Sequence, residues 1–142
     1  MMLVIEDYVV IPKARPRLGR DGRVYSPSRK KEIALAWRLK EAALNLDSGY
    51  RNFQCEVDIF VVIIFCSSKY NRADIDNLTK FVYDALQESG LIENDKQIRR
   101  EYHDIMDCSS DILFVSIEER GHLNFQQITE LMEFVSSSII KA

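Results

Sequence analysis

The chain has 142 residues, 46% hydrophobic and 29% charged, which fits one ordinary domain with a core of its own. Its longest apolar run, Ile59 to Cys66, is eight residues, too short for a membrane-spanning helix and right for a buried strand. The net charge of −3 hides an asymmetry, because residues 13–40 hold ten Lys and Arg against two acids, a net +8, which leaves −11 for the rest.

That split points to a basic surface for a polyanion beside an acidic site for metal. The opening Met1 to Asp7 does not read as a signal peptide, since it lacks a basic lead and acids interrupt its apolar run. Cys55, Cys66 and Cys108 form no Cys-x-x-Cys pair, and an odd count without metal spacing reads as reduced thiols in a cytoplasmic protein.

In chain order, Leu3 to Ile11 is β-rich and is expected as a first strand, ended by Pro12. Residues 13–28 mix arginines with Pro16, Gly19, Gly22 and Pro27 and read as a loop. Asp21-Gly22 is its turn, and a hairpin with Val24-Tyr25 on the return arm is compatible with it. Ser28 suits a helix N-cap, and a helix to about Leu46 follows. Its expected apolar stripe runs through Ile33, Ala36, Trp37, Lys40, Ala43 and Leu44, with Trp37 in the core. Asp47-Ser48-Gly49 stops it.

Phe53 to Cys66 is the central strand candidate, apolar on both faces and therefore buried on both. Asp58 within it is unusual and receives no function. Ser67 to Ala73 reads as a polar loop. Asp74 to Asp76 is expected to be short and extended, leading into a helix with the stripe Leu78, Phe81, Val82, Ala85 and Leu86. Asp76 or Asn77 would cap its start and Gly90 its end. Gln97 to Met106 and Asp111 to Glu118 read as strands. Asn124 to Lys141 has helical periodicity at Phe125, Ile128, Leu131, Met132, Val135 and Ile139.

The chemistry concentrates in Asp74-Ile75-Asp76-Asn77-Leu78-Thr79-Lys80, with Asp95 following one helix later. Hard divalent cations need oxygen ligands, and a phosphodiester needs cationic help. On an extended segment Asp74 and Asp76 share a face, and Lys80 lies one helical turn beyond Asp76. Three acids ringing one site with a lysine would hold Mg²⁺ or Mn²⁺, with the lysine either neutralising charge on phosphate or orienting the attacking water. Each residue also has an ordinary explanation: Asp76 as a cap, Asp95 as a turn former, Lys80 as a solvated residue paired with Asp84. His103 and His122 lack metal spacing. No Gly-rich phosphate loop is present, which disfavours nucleotide hydrolysis.

Asp74 to Lys80, then Asp84-Ala85-Leu86, Gly90 and Asp95-Lys96-Gln97-Ile98, closely resemble the RusA family of Holliday junction resolvases. Pro12-Lys13-Ala14-Arg15-Pro16-Arg17 and Gly22 to Pro27 resemble the arginine-rich opening of its phage-type branch. The resemblance covers residues 3 to about 119, so residues 1–120 read as the nuclease domain and 121–142 as its C-terminal helical extension. It implies a small homodimeric, Mg²⁺-dependent endodeoxyribonuclease with a RusA-like α+β fold, acting in DNA recombination and repair. Such an enzyme cuts four-way DNA junctions by paired, symmetric nicks. It also implies Asp74, Asp76, Asp95 and Lys80 as the catalytic set, the three acids as metal ligands. One departure stands out: Asn94 occupies a position where the family has an acid, so either Glu93 compensates or that acid is dispensable.

Clustered cations suit DNA through counterion release. Lys13, Arg15, Arg17, Arg20, Arg23, Arg29, Lys30 and Lys31 are the candidate DNA-binding residues, and Tyr25 suits either a base contact or a core position. Two other readings stay open: a metal-dependent nuclease on other branched DNA or RNA, and a non-catalytic junction-binding module whose acids are structural.

Overall fold

Nine consecutive buried residues, Val57–Phe65, form the interior strand β4 of a four-stranded sheet in the computed structural model, which describes residues 1–66 and 69–141. Ser67 and Ser68 of the expected loop, and the side chains of Phe125 and Ile139 in the expected C-terminal stripe, lie outside the described residues. A run with no polar alternation must be covered on both sides, and it is. Ile59, Val61, Ile63 and Phe65 pack into the larger core, while Phe60, Val62 and Ile64 pack into a smaller one on the opposite face.

The sheet order is β1 (Met2–Glu6), β6 (Ile112–Glu119), β4 and β5 (Ile98–Asp107). Strand β4 runs parallel to β5 and antiparallel to β6, and β1 is antiparallel to β6. A parallel pair needs a crossover, supplied here by helix α2 (Ile75–Ser89). Helices α2 and α1 (Arg29–Leu44) cover the larger core. Leu123, Ile128, Leu131, Met132 and Val135 bring helix α3 (Phe125–Lys141) over the smaller one. A separate hairpin pairs β2 (Arg17–Leu18) with β3 (Val24–Tyr25), turning at Gly22 with φ +79°. The arrangement is α+β, a small mixed β-sheet packed with helices, as the family resemblance implies. No helix among the described residues is long and apolar enough to cross a membrane.

Three expectations are corrected. Strand β1 ends at Glu6, not Ile11, because Asp7 takes φ +50° and turns the chain out of the sheet, leaving Val10 to fill the core from a loop. The buried stripe of α1 is Glu32, Leu35, Ala36, Leu39 and Ala43, so Trp37 stands 68% exposed. Leu35 and Leu39 lie one turn apart and bury against α2 together with the paired carboxylate of Glu32, which rotates Trp37 outward. Helix α2 starts one residue after Asp74, and Asp74 itself is the cap, its Oδ1 accepting from the Asp76 N–H at 3.3 Å. Asp76 therefore lies in the first helical turn and not beside Asp74 on an extended segment. Asp58, buried in β4, is satisfied by the Gly121 N–H at 2.9 Å and so anchors the turn after β6.

Gly90 ends α2 in the left-handed region at φ +79°, with a Cβ built there falling 2.6 Å from the Tyr50 hydroxyl oxygen. That hydroxyl donates to the Ser89 carbonyl at 3.1 Å, so it is not free to retreat. Gly90→Ala is expected to lower stability by about 1–2 kcal/mol from the backbone alone and more from the contact. Urea unfolding should show a lower midpoint with an unchanged slope.

Candidate active site

Helix α2 and the turn before β5 build the site. Asp76, Lys80 and Asp84 are spaced four apart and form one stripe along α2. Opposite that stripe, Asn94 caps a short 3-10 turn, Asp95–Gln97, its Oδ1 accepting from the Lys96 N–H at 2.8 Å. Gln97 fastens the turn: its Oε1 accepts from the N–H groups of Glu93 and Asn94, and its amide donates to the carbonyls of Phe53 and Cys55. The Asp95 N–H donates to Gln87 Oε1 at 3.3 Å, which holds the turn to α2. Asn94 thus has a structural task that needs an oxygen acceptor and no charge, so an amide serves as well as a carboxylate.

The Lys80 ammonium sits between two carboxylates, 2.9 Å from Asp95 Oδ2 and 3.2 Å from Asp84 Oδ1. Its pKa is raised above the ordinary lysine value, chiefly by the hydrogen bond to Asp95, against a burial cost and with help from Asp84. Asp84 is held in turn by Lys13, 2.9 Å from its Oδ2, and Lys13 also binds the buried Glu32 at 2.5 Å. Ser28 Oγ donates to the same Glu32 oxygen at 2.8 Å, and the Lys13 N–H donates to the Asn77 carbonyl at 2.9 Å. Burial pulls the Lys13 pKa down, but the hydrogen bonds and charges of Glu32 and Asp84 together carry it above the ordinary value. A ladder of alternating charge therefore runs Glu32, Lys13, Asp84, Lys80, Asp95.

Lys80 and Asp95 are brought into direct contact, as the sequence spacing anticipates. Asp74 and Asp76 lie at the start of α2, and among the described residues no three His, Cys, Asp or Glu side chains are gathered tightly enough to cage a metal ion. Mg²⁺ does not require such a cage; it usually takes one or two carboxylates and completes its shell with water and substrate phosphate. The donors suit it. Asp74 Oδ2, the Asp76 carboxylate and Asp95 Oδ1 make no hydrogen bond or ion pair among the described residues, and all are hard oxygens.

The candidate DNA-binding cations divide into two groups. Lys13 is inside the ladder, and Arg29 pairs with Glu88 at 2.7 Å and lies 3.9 Å from Glu32. Arg15, Arg17, Arg20, Arg23, Lys30 and Lys31 are exposed. Tyr25 is half exposed on the hairpin and not in the core. Sequence reading alone misses the roles of Glu32 and Gln97. The one available signal is Glu32 itself, an acid on the side of α1 that the Leu35–Leu39 pair buries. One helical turn beyond Lys80, Tyr83 donates to Glu101 at 2.7 Å and its hydroxyl oxygen lies 2.6 Å from His103 Nε2, so His103 is engaged with β5 and α2.

The family model described as Endodeoxyribonuclease RusA matches residues 7–117. The matched span runs through the hairpin, α1, the site and β5, and ends in β6, leaving α3 outside. No curated protein matches the chain.

Removing Lys13 leaves two carboxylates facing each other, one of them buried. Lys13→Met is expected to destabilise by about 3 kcal/mol at neutral pH, as breaking one side of a buried pair does. Adding Glu32→Gln should recover a large part of that loss; a double variant no more stable than Lys13→Met would overturn the pairing. Both lysine pKa values are raised, so their contribution is complete below the unfolded-state value of about 10.4 and is lost as pH climbs through the folded values. The urea midpoint of the wild type should fall above that pH, and less steeply in Lys13→Met.

Proposed function

This chain belongs to the RusA family of endodeoxyribonucleases, and we propose that it resolves four-way DNA junctions by paired, symmetric nicks in recombination and repair. The observation that carries this reading is the Lys80 ammonium held between Asp84 and Asp95, on the helix that Asp74 caps and that carries Asp76 in its first turn. Acids and a fixed cation on one stripe are what phosphodiester hydrolysis requires.

Asp74, Asp76 and Asp95 would hold Mg²⁺, with Mn²⁺ as substitute. Such an ion, when bound, supplies Lewis acidity at a phosphate oxygen and acidifies a water. Lys80 places a positive charge where negative charge develops on the scissile phosphate, and the carboxylates of Asp95 and Asp84 beside it raise its pKa above the ordinary lysine value. The capped turn at Asn94 keeps Asp95 in register with Lys80. The exposed arginines of the hairpin and the lysines at the start of α1 bind the backbone of the junction arms.

A homodimer suits this activity, because a two-fold axis presents two identical sites to two opposed strands. Cys55, Cys66 and Cys108 are free thiols, in keeping with action in the cytoplasm.

The test is Mg²⁺-dependent nicking of a synthetic four-way junction, with a fork and a linear duplex alongside. Asp74→Asn and Asp95→Asn are expected to lower nicking by about a hundredfold or more while junction binding persists. Unchanged cleavage in Asp74→Asn would remove the catalytic assignment, and preference for fork over junction would change the substrate. Arg15→Ala and Arg17→Ala should each weaken binding and lower the salt slope by about 1, measured by titration at several salt concentrations.

A further inference from the structure

The hairpin carries an apolar feature that the fold leaves uncovered. Leu18 and Val24 are direct cross-strand partners, 73% and 71% exposed. Successive residues on a strand face opposite ways, so this pair occupies one face of the ribbon and the Arg17–Tyr25 pair the other. The turn between them is well fastened: the Gly19 N–H donates to the Arg23 carbonyl at 2.8 Å, and the Arg23 N–H to Asp21 Oδ1 at 3.0 Å. Two residues per strand is a small hairpin, yet it holds two aliphatic side chains in water at a fixed place.

Near the pair in sequence lie Arg15, Arg17, Arg20 and Arg23, all exposed, whose guanidinium groups make no ion pair or hydrogen bond among the described residues. Asp21, the only acid in residues 13–28, already caps the turn. An apolar pair on a hairpin that also carries exposed arginines fits a partner with flat apolar faces inside a lattice of phosphates. A second copy of the chain fits poorly. A two-fold contact through this face would set both sets of arginines against each other.

We infer that the Leu18–Val24 pair is a wedge that enters the centre of branched DNA and unstacks the bases there, while the four arginines hold the flanking phosphates. The inference rests on the proposed reading that the substrate is branched DNA. Apolar side chains pushed between base steps are a general means of opening a duplex. The cost of unstacking is least where stacking is already interrupted, so the same tip that is idle on linear duplex acts at a branch point.

The experiment uses the full chain carrying Asp74→Asn, to stop cleavage, and a four-way junction with 2-aminopurine beside the branch point. Binding is expected to raise the fluorescence at that position and not at an arm position. Adding Leu18→Ser and Val24→Ser should abolish the rise while junction affinity stays within about threefold and the salt slope is unchanged, because the arginines remain. In the chain with Asp74 intact, the two serines should slow nicking of a fully paired junction by about tenfold and spare a junction with unpaired bases at its centre. An unchanged fluorescence rise in the serine variant overturns the wedge while leaving the junction reading intact. A serine variant that shifts from dimer to monomer by sedimentation also overturns it, assigning the pair to a protein contact. No preference of the Asp74→Asn chain for junction over duplex overturns the substrate reading, and the wedge with it. Both substituted residues are exposed, and an unchanged thermal midpoint confirms that the variant is folded.

Discussion

A carboxylate cannot be buried without a partner, and Glu32 is 99% buried by side chains of the α1–α2 layer. Its neutralisation by Lys13 is the constraint on which the site depends. Lys13 belongs to the segment between the first strand and the hairpin, so pairing it with Glu32 pins that segment across the start of α1. Its second partner, Asp84, lies on α2, and its backbone N–H reaches Asn77 in the first turn of the same helix. One lysine thereby joins three parts of the chain that are far apart in sequence. Buried ion pairs add little net stability, because desolvation offsets most of the attraction. What they supply here is position: Asp84 is held from behind, and Lys80 is left with a fixed second carboxylate opposite Asp95.

Both ends of α2 are set by local chemistry that serves the same position. Asp74 caps the N-terminus, where the helix dipole favours negative charge, so two acids can stand there at modest cost. Gly90 stops the helix and Tyr50 locks the stop. From Gly90 to Asp95 the chain has few residues in which to return to Lys80, and it does so through a capped turn pinned by Gln97 and Gln87. The amide at position 94 is thereby explained as a cap. The carboxylate of this turn that meets Lys80 belongs to Asp95.

The sequence is most legible where one rule decides the outcome. Strand β4 is apolar on both faces and had to be interior; α2 repeats its apolar residues at helical spacing and ends at a glycine; the hairpin follows from Asp21-Gly22 between β-formers. Legibility fails where distant contacts choose between local options. Residues 7–11 have strand propensity, but Asp7 turns out of the sheet and the segment fills the core as a loop. Apolar residues on α1 allow more than one stripe, and Glu32 selects the phase that exposes Trp37. The spacing of Lys80 and Asp95 allowed their contact to be anticipated, while the contacts behind Lys80, through Asp84 and Lys13, are a matter of packing and left no periodic trace.

The same packing revises the meaning of the basic block. Ten cations between residues 13 and 40 read as one polyanion surface, yet four are engaged within the protein. Lys13 and Arg29 neutralise acids of the α1–α2 layer. Arg38 lies over the Tyr8 ring and donates to the Glu6 carbonyl, and Lys40 lies over the Tyr50 ring. The cations left for solvent are Arg15, Arg17, Arg20, Arg23, Lys30 and Lys31, four on or beside the hairpin and two at the start of α1. Counterion release scales with the charges that reach phosphate, not with those in the sequence. The positive charge left to solvent is thereby focused on the arm that also exposes Leu18 and Val24, and the lysine that reads in the sequence as part of that arm is the one that ties it to α2.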